Sequence, residues 1–248
     1  AVKLACVGRL GVGLDNIDTA ACAARGIAVY PATGANDQAV AEYVIAAVMI
    51  LLRRAYHARA SVASGSWPRE ALIGREVAGK TLGLIGFGAI AREVARRASA
   101  LGMDVAAHDP FLAEDDPAWE LSKLLSLNDL LREAHAVSLH VPLTEGTRHL
   151  IGPDQVSLMR EGAVLINAAR GGVVDETALI AGLREGSLGG AALDVFETEP
   201  LTLEAGARFA GIENLILTPH IAGLTEESNI RVSTLVADRV ITHLEKLA

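Results

Sequence analysis

From Thr81 to Asp109 the chain passes through a short apolar stretch, a glycine-rich turn, an amphipathic stretch, a second apolar stretch and an acid. Few folds accommodate that order. Thr81-Leu82-Gly83-Leu84-Ile85 is bounded by turn formers and reads as a buried strand. Gly86-Phe87-Gly88-Ala89-Ile90-Ala91 follows directly. Beyond it Ile90, Val94 and Ala98 recur at helical spacing, Arg92, Glu93, Arg96 and Arg97 supply polar faces, and Gly102 stands where a helix would stop. Asp104-Val105-Ala106-Ala107-His108 reads as a second strand leading to Asp109. Gly86 and Gly88 therefore lie at the strand-to-helix junction of a βαβ unit, where N–H groups at a helix start hold a pyrophosphate.

Asp109 lies twenty-one residues beyond Gly88, close to the offset of about 20 at which an acid meets the adenosine ribose hydroxyls. That favours NAD over NADP, because Pro110 and Phe111 follow and no arginine is there to accept a 2′-phosphate. Ala91 replaces the third glycine of the fingerprint and still permits close helix–strand packing. A bare tight turn would satisfy the glycines alone; the flanking strand, helix and acid favour the dinucleotide.

Elsewhere strand-like runs alternate with helix-like ones, which predicts an α/β fold with a doubly wound, Rossmann-type parallel sheet. The predicted strands are Lys3 to Val7, Ile27 to Tyr30, Thr81 to Ile85, Val105 to His108, Ala136 to His140, Ala163 to Ile166, Ala191 to Val195 and Leu215 to Leu217. A long helix is predicted from Asp37 through Val44 and Leu52 toward Ala60, buried between lobes or against a second subunit. Ser64 to Pro68 breaks the pattern, Trp67 reads as an anchoring aromatic, and an amphipathic stretch from Thr225 to Leu247 closes the chain.

With 248 residues, 51% of them hydrophobic, and a mean hydropathy of +0.34, the chain can bury a large core. Its net charge of −8 argues against a nucleic-acid partner, which would require Lys and Arg clusters. Cys6 and Cys22 lack metal-ligand spacing and read as small buried hydrophobes; no metal is expected. A soluble protein of the reducing cytoplasm is the expectation, since the apolar run Val44 to Leu52 is too short to cross a bilayer and no basic-then-apolar leader opens the chain.

Arg170, Glu199 and His220 each stand where an extended apolar run ends. A cation, a carboxylate and an imidazole beside a dinucleotide turn suggest hydride transfer. Singly, each has a plainer explanation: an ion pair, a solvated loop, a turn histidine. His140 and His149 read as histidines without chemistry.

The blocks Gly79 to Gly83, Gly86 to Ala91, His140 to Thr144, Asn167 to Gly171, Asp194 to Pro200 and Thr218 to His220 occur in an order that closely resembles the D-isomer-specific 2-hydroxyacid dehydrogenases. Within that family the chain is most similar to the phosphoglycerate branch, and its opening loop Gly8 to Asp18 also resembles sulfolactate dehydrogenases. The resemblance implies an NAD-dependent enzyme that interconverts a 2-hydroxy acid and its 2-oxo acid, the substrate being D-3-phosphoglycerate or a similarly doubly anionic molecule. Sulfolactate, and glyoxylate or hydroxypyruvate, are alternatives; an NADH-sensing corepressor is an alternative of another class.

The resemblance also implies roles. Arg170 would bind the substrate carboxylate and C2 oxygen, His220 would be the acid–base, and Glu199 would hold its imidazole. Val12 and Gly13 would offer N–H groups to the carboxylate, and Arg9 would meet a second anionic group. Gly86, Gly88, Ala89, Ile90, Asp109, Val141, Ala168, Ala169, Asp194 and Gly223 would contact NAD. It further implies a homodimer, with residues 64–223 as the NAD-binding domain, 1–63 as a partial flavodoxin-like substrate domain with the hinge and dimer helix, and 224–248 as a helix returning to it. The sequence begins within a strand, so the first half of the family's substrate lobe is expected to be missing, and no regulatory domain is expected beyond Ala248.

Overall fold

The structure, a computed structural model, describes residues 4–54 and 58–247. The elements run β1 (Cys6–Arg9), α1 (Thr19–Ala24), β2 (Ala28–Pro31), α2 (Asp37–Arg53), α3 (Arg59–Ala63), β3 (Thr81–Ile85), α4 (Ala89–Ala100), β4 (Asp104–His108), β5 (Lys123–Leu124) and α5 (Leu127–Glu133). They continue with β6 (Ala136–Leu139), α6 (Pro153–Leu158), β7 (Ala163–Asn167), α7 (Glu176–Glu185), β8 (Leu188–Leu193), α8 (Leu203–Ala207), β9 (Leu215–Leu217) and α9 (Glu226–Glu245). The chain folds into two compact units, Ala1–Val40 with Gly223–Ala248, and Ala41–Ala222.

In the first unit β1 and β2 pair in parallel, from Cys6 opposite Ala28 to Arg9 opposite Pro31. Helix α9 lies on both strands and contributes Val232, Leu235, Val236 and Val240 to a small core around Ala32 and Ala35. Gly8 permits this contact, because a Cβ there would stand 2.6 Å from Val236 Cγ1. Thr225 caps α9, accepting from Ser228 N at 3.0 Å while the Ser228 hydroxyl accepts from Thr225 N at 2.8 Å.

The second unit holds a seven-stranded parallel sheet in the order β5-β4-β3-β6-β7-β8-β9. The chain enters at β3, winds outward to β5, returns past β3 to β6 and winds out the other way. Such a reversal opens a crevice at the carboxyl ends of β3 and β6. Strands covered on both faces must be apolar nearly throughout, and β6, β7 and all but the first residue of β3 are buried along their length. Gly83 at the centre of β3 lets α5 approach; a Cβ would meet Leu130 Cδ2 at 2.5 Å and Ala134 Cβ at 3.0 Å.

The doubly wound sheet appears as expected; several strand ends shift by one or two residues, and four differences are larger. The first strand is Cys6–Arg9, and Lys3, where it was expected to begin, lies outside the described residues. Helix α2 ends at Arg53 because Arg54 takes a left-handed φ of 53° that no α-helix continues; its expected extension toward Ala60 crosses residues 55–57, which are not described. Strand β8 starts at Leu188, ahead of the expected Ala191, since Gly189 and Gly190 carry no apolar signal. The two-residue edge strand β5 was not expected.

If Gly83 sets the spacing of α5, Gly83→Ala should cost about 1–3 kcal/mol through overpacking. Its cost combined with Leu130→Ala should then be less than the sum of the two. Urea denaturation of the three variants measures this, and strict additivity would show that the contact is not tight.

Candidate active site

Gly86 ends β3 with φ +85°, and a Cβ there would lie 2.8 Å from His140 O and 2.9 Å from Val141 Cγ1. The glycine thus brings the turn against the end of β6, the neighbouring strand across the reversal. Helix α4 starts at Ala89 with no side chain capping it, and a Cβ on Gly88 would enter open space. Gly88 and Ala89 are exposed and Ile90 half-buried. An uncapped helix start beneath an open cradle fits a pyrophosphate. Asp109, at the end of β4, accepts from Phe87 N at 2.9 Å and Phe111 N at 3.0 Å, so its carboxylate is fixed beside the turn. Phe87, fully buried, stacks on Trp119 at 5.2 Å.

Arg170 stands in the loop after β7. The buried Asn167 spans that loop: its Nδ2 donates to Arg170 O at 2.9 Å and its Oδ1 accepts from Ala169 N at 3.1 Å. Arg170 Nη1 donates to Ala169 O at 2.6 Å. Ala168, Ala169 and Arg170 are half-buried. Gly171 lies directly against the Phe196 carbonyl, where any Cβ would collide. This contact brings the Arg170 loop onto the segment after β8.

That segment carries Asp194 and Glu199. Asp194 is 1% exposed. Its Oδ1 accepts from Thr218 Oγ1 at 2.6 Å and Ile221 N at 2.8 Å, and its Oδ2 from Ala222 N at 2.8 Å. Its backbone carbonyl accepts from His220 N at 2.8 Å. The loop after β9 is thereby clamped on both sides of His220, which adopts φ +56°. Glu199 Oε1 accepts from Phe196 N at 2.9 Å, and Glu199 Oε2 pairs with His220 Nδ1 at 2.7 Å. The imidazole side chain is 54% exposed, and among the described residues its Nε2 has no hydrogen-bond partner. A cavity of about 610 Å³ opens here, lined by Phe196, Glu199, Leu201, Leu217, Thr218 and His220 among others. A carboxylate thus orients the ring while the opposite nitrogen faces open space, as general acid–base catalysis requires.

The structure therefore gathers Arg170, Asp194, Glu199 and His220 on loops at the carboxyl ends of adjacent strands β7, β8 and β9, and Gly86, Gly88, Ala89, Asp109 and Val141 at the ends of β3, β4 and β6. Val12, Gly13 and Arg9 belong to the first unit. There Arg9 folds over its own loop, with Nε donating to Gly13 O at 3.2 Å and Nη1 to Leu10 O at 3.1 Å. Gly223, also in that unit, leaves room for the Asn36 amide, 2.4 Å from where a Cβ would sit. Trp67, read as an anchoring aromatic, is 75% exposed. Sequence reasoning assigned no role to Asn167 or Thr218, although both stand in the quoted blocks, and it overlooked the Phe87–Trp119 stack. Their position next to a site residue was the available signal. Among the described residues no group of three or more His, Cys, Asp or Glu side chains could hold a metal, and no helix is long and apolar enough to cross a membrane.

A dinucleotide cradle, a reversal crevice and an imidazole–carboxylate pair define a nicotinamide-dependent oxidoreductase. Residues 45–222 match the model of the D-isomer specific 2-hydroxyacid dehydrogenase NAD binding domain. The chain is 58% identical over 238 residues to an (S)-sulfolactate dehydrogenase of Chromohalobacter salexigens, covering 96% of this chain and 76% of that one. It is 40% identical over 241 residues to a D-3-phosphoglycerate dehydrogenase of Methanocaldococcus jannaschii, covering 97% of this chain and 45% of the relative. A crystal structure of a glyoxylate reductase from Paecilomyes thermophila superposes with a TM-score of 0.88 at 34% identity, covering 97% of this chain and 72% of that one. The chain belongs to the D-isomer specific 2-hydroxyacid dehydrogenase family. It is an NAD-dependent enzyme that interconverts 2-hydroxy and 2-oxo acids.

One histidine near the cradle gives a pH prediction. His140 Nε2 is enclosed and, among the described residues, has no hydrogen-bond partner, and burial pushes the imidazole from 6.5 down to about 4. Unfolding then takes up a proton between those values. His140's share of stability is therefore complete above about pH 6.5 and declines as pH falls to about 4, by up to about 3 kcal/mol at about 1.4 kcal/mol per unit. His140→Gln should flatten that part of the curve in denaturation series across the window; an unchanged slope would place the proton uptake elsewhere.

Proposed function

We propose that the preferred substrate is a doubly anionic, D-configured 2-hydroxy acid, with (S)-sulfolactate and its 2-oxo partner ahead of D-3-phosphoglycerate. The Glu199–His220 pair beside an open cavity carries the reading of the chemistry; the 58% identity to a sulfolactate dehydrogenase, against 40% to a phosphoglycerate dehydrogenase, supports the order of substrates. The descriptor S does not conflict with a D-specific family. A sulfonated CH₂ outranks a carboxylate in the priority rules where a methyl does not, so (S)-sulfolactate has the spatial arrangement of D-lactate.

In this reading Arg170 holds the substrate carboxylate and C2 oxygen with a planar guanidinium fork. His220 Nε2 takes the C2 hydroxyl proton during oxidation and returns it during reduction, and Glu199 keeps the ring in register through Nδ1. NAD, when bound, accepts or supplies the C2 hydride. Gly86, Gly88, Ala89, Ile90, Asp109, Val141, Ala168, Ala169, Asp194 and Gly223 hold that cofactor. Val12 and Gly13 present N–H groups to the carboxylate, and the Arg9 charge attracts the second anion. Functionally, residues 64–223 form the NAD-binding domain, and residues 1–63 and 224–248 form the substrate domain.

We also propose a cytoplasmic homodimer. The free thiols of Cys6 and Cys22 suit a reducing compartment. Helix α2 turns Ala46 and Met49 to solvent, and Val62, Trp67 and Ile73 after it are also exposed, as residues at a subunit interface are. Light scattering at micromolar concentration tests the dimer, and a monomeric mass would refute it.

NADH consumption with sulfopyruvate, hydroxypyruvate, phosphohydroxypyruvate and glyoxylate tests the chemistry. His220→Ala should lower kcat about 10²–10⁴-fold while NADH still binds. Arg9→Ala should raise KM about tenfold for the doubly anionic acids and little for glyoxylate, in line with about 1–3 kcal/mol for a hydrogen bond to a charged group. Equal loss on every acid would make Arg9 a loop brace.

A further inference from the structure

Helix α2 reaches the loop after β9 through Tyr43. Tyr43 Oη lies 2.7 Å from Thr218 Oγ1, which lies 2.6 Å from Asp194 Oδ1. The direction of this chain follows from what each group can offer. An ionised carboxylate only accepts, so the single Thr218 hydroxyl proton goes to Asp194. Thr218 Oγ1 must then accept from Tyr43, which makes the tyrosine hydroxyl the outermost donor. Burial raises the Tyr43 phenol pKa and Asp194 adds to this, against a smaller lowering by the Thr218 bond. The phenol accordingly keeps its proton.

The relay matters because of what else Asp194 does. Two of its three side-chain donors are backbone N–H groups fixed by the loop. The third, a hydroxyl, is free to rotate unless something occupies its lone pairs. We infer that Tyr43 is a positioning residue that, through Thr218, fixes the Asp194 carboxylate and with it the loop carrying His220. With Oδ1 saturated by Thr218 and Ile221, and Oδ2 receiving, among the described residues, only Ala222 N, Oδ2 keeps a lone pair for a further donor. That spare acceptor suits the carboxamide NH₂ of a nicotinamide. This last step rests on the proposed cofactor contact of Asp194; the relay itself does not.

The test begins without cofactor. Amide hydrogen exchange in the segment containing Ile221 and Ala222 reports the Asp194 clamp directly. Tyr43→Phe, which keeps the ring, should speed exchange there about 3–10-fold while leaving β3 and β6 unaffected. In turnover it should lower kcat about 5–20-fold and weaken NADH binding about threefold, with KM for the 2-oxo acid within twofold of wild type. Thr218→Val should reproduce these effects, and adding Tyr43→Phe to Thr218→Val should change nothing further. Unchanged exchange and kcat in Tyr43→Phe would overturn the inference, as would a Tyr43 effect that persists in full on the Thr218→Val background. If Tyr43→Phe does not fold, unchanged exchange in Thr218→Val decides against the relay. A wild-type protein that turns over no 2-oxo acid would refute the functional reading, while the exchange measurement still judges Tyr43.

Discussion

A carboxylate with almost no solvent contact fixes the geometry of this site. Burying the charge of Asp194 costs several kcal/mol unless donors surround it, and every side-chain donor it finds comes from residues 218–222. The loop after β9 cannot leave without stranding that charge. Held this way, His220 keeps a left-handed backbone that costs a non-glycine residue about 1–2 kcal/mol. Strain of this kind persists only where surrounding contacts over-determine it. Here the N–H of His220 and those of the two following residues are all bound to Asp194. The imidazole therefore has one place to be, and Glu199 needs only to set its rotation.

Around that clamp the site is assembled by backbone approaching backbone. Gly171 rests on the Phe196 carbonyl and Gly86 on the His140 carbonyl, each at a distance that excludes a side chain. Parallel strands deliver consecutive loops to the same edge of the sheet, and these glycines draw the loops together there. Asn167 serves the same end with a side chain, bridging the two ends of the Arg170 loop from a fully buried position. Loops anchored on the sheet bring an arginine, a glutamate and a histidine far apart in sequence to the ends of adjacent strands.

The sheet and the placing of Arg170, Glu199 and His220 along one edge of it were readable because both obey local rules. Strands covered on two faces become apolar runs, and the residues at their carboxyl ends are then marked by position. Features set by distant partners were not readable. The end of α2 depends on the left-handed turn at Arg54, in a stretch whose composition still favours helix. Strand β8 opens with Leu188 and then two glycines that carry no pattern, Gly189 packed on the Gly162 carbonyl and Gly190 on the Asn214 carbonyl. The resemblance named Asp194, but its hold on the His220 loop was not legible, since its donors lie 24 to 28 residues later. The resemblance implied an anion contact for Arg9, and no sequence rule foretells that its guanidinium bends back onto the carbonyls of Leu10 and Gly13.

That bend bears on the anion contact proposed for Arg9. Two of the guanidinium's five N–H donors are engaged by loop carbonyls, so Arg9 retains its charge and three N–H groups, one on Nη1 and two on Nη2. A phosphate monoester carries about −1.5 to −2 charges near neutral pH and is best met by several cations or a complete fork. A sulfonate is a monoanion at any physiological pH and is weakly hydrated, so one partly occupied guanidinium balances it without leaving a second charge uncompensated. In a chain whose net charge is −8, every added substrate charge also meets a repulsive background. On the role proposed for Arg9, charge balance would therefore favour the sulfonated acid over the phosphorylated one, on grounds separate from the sequence identities.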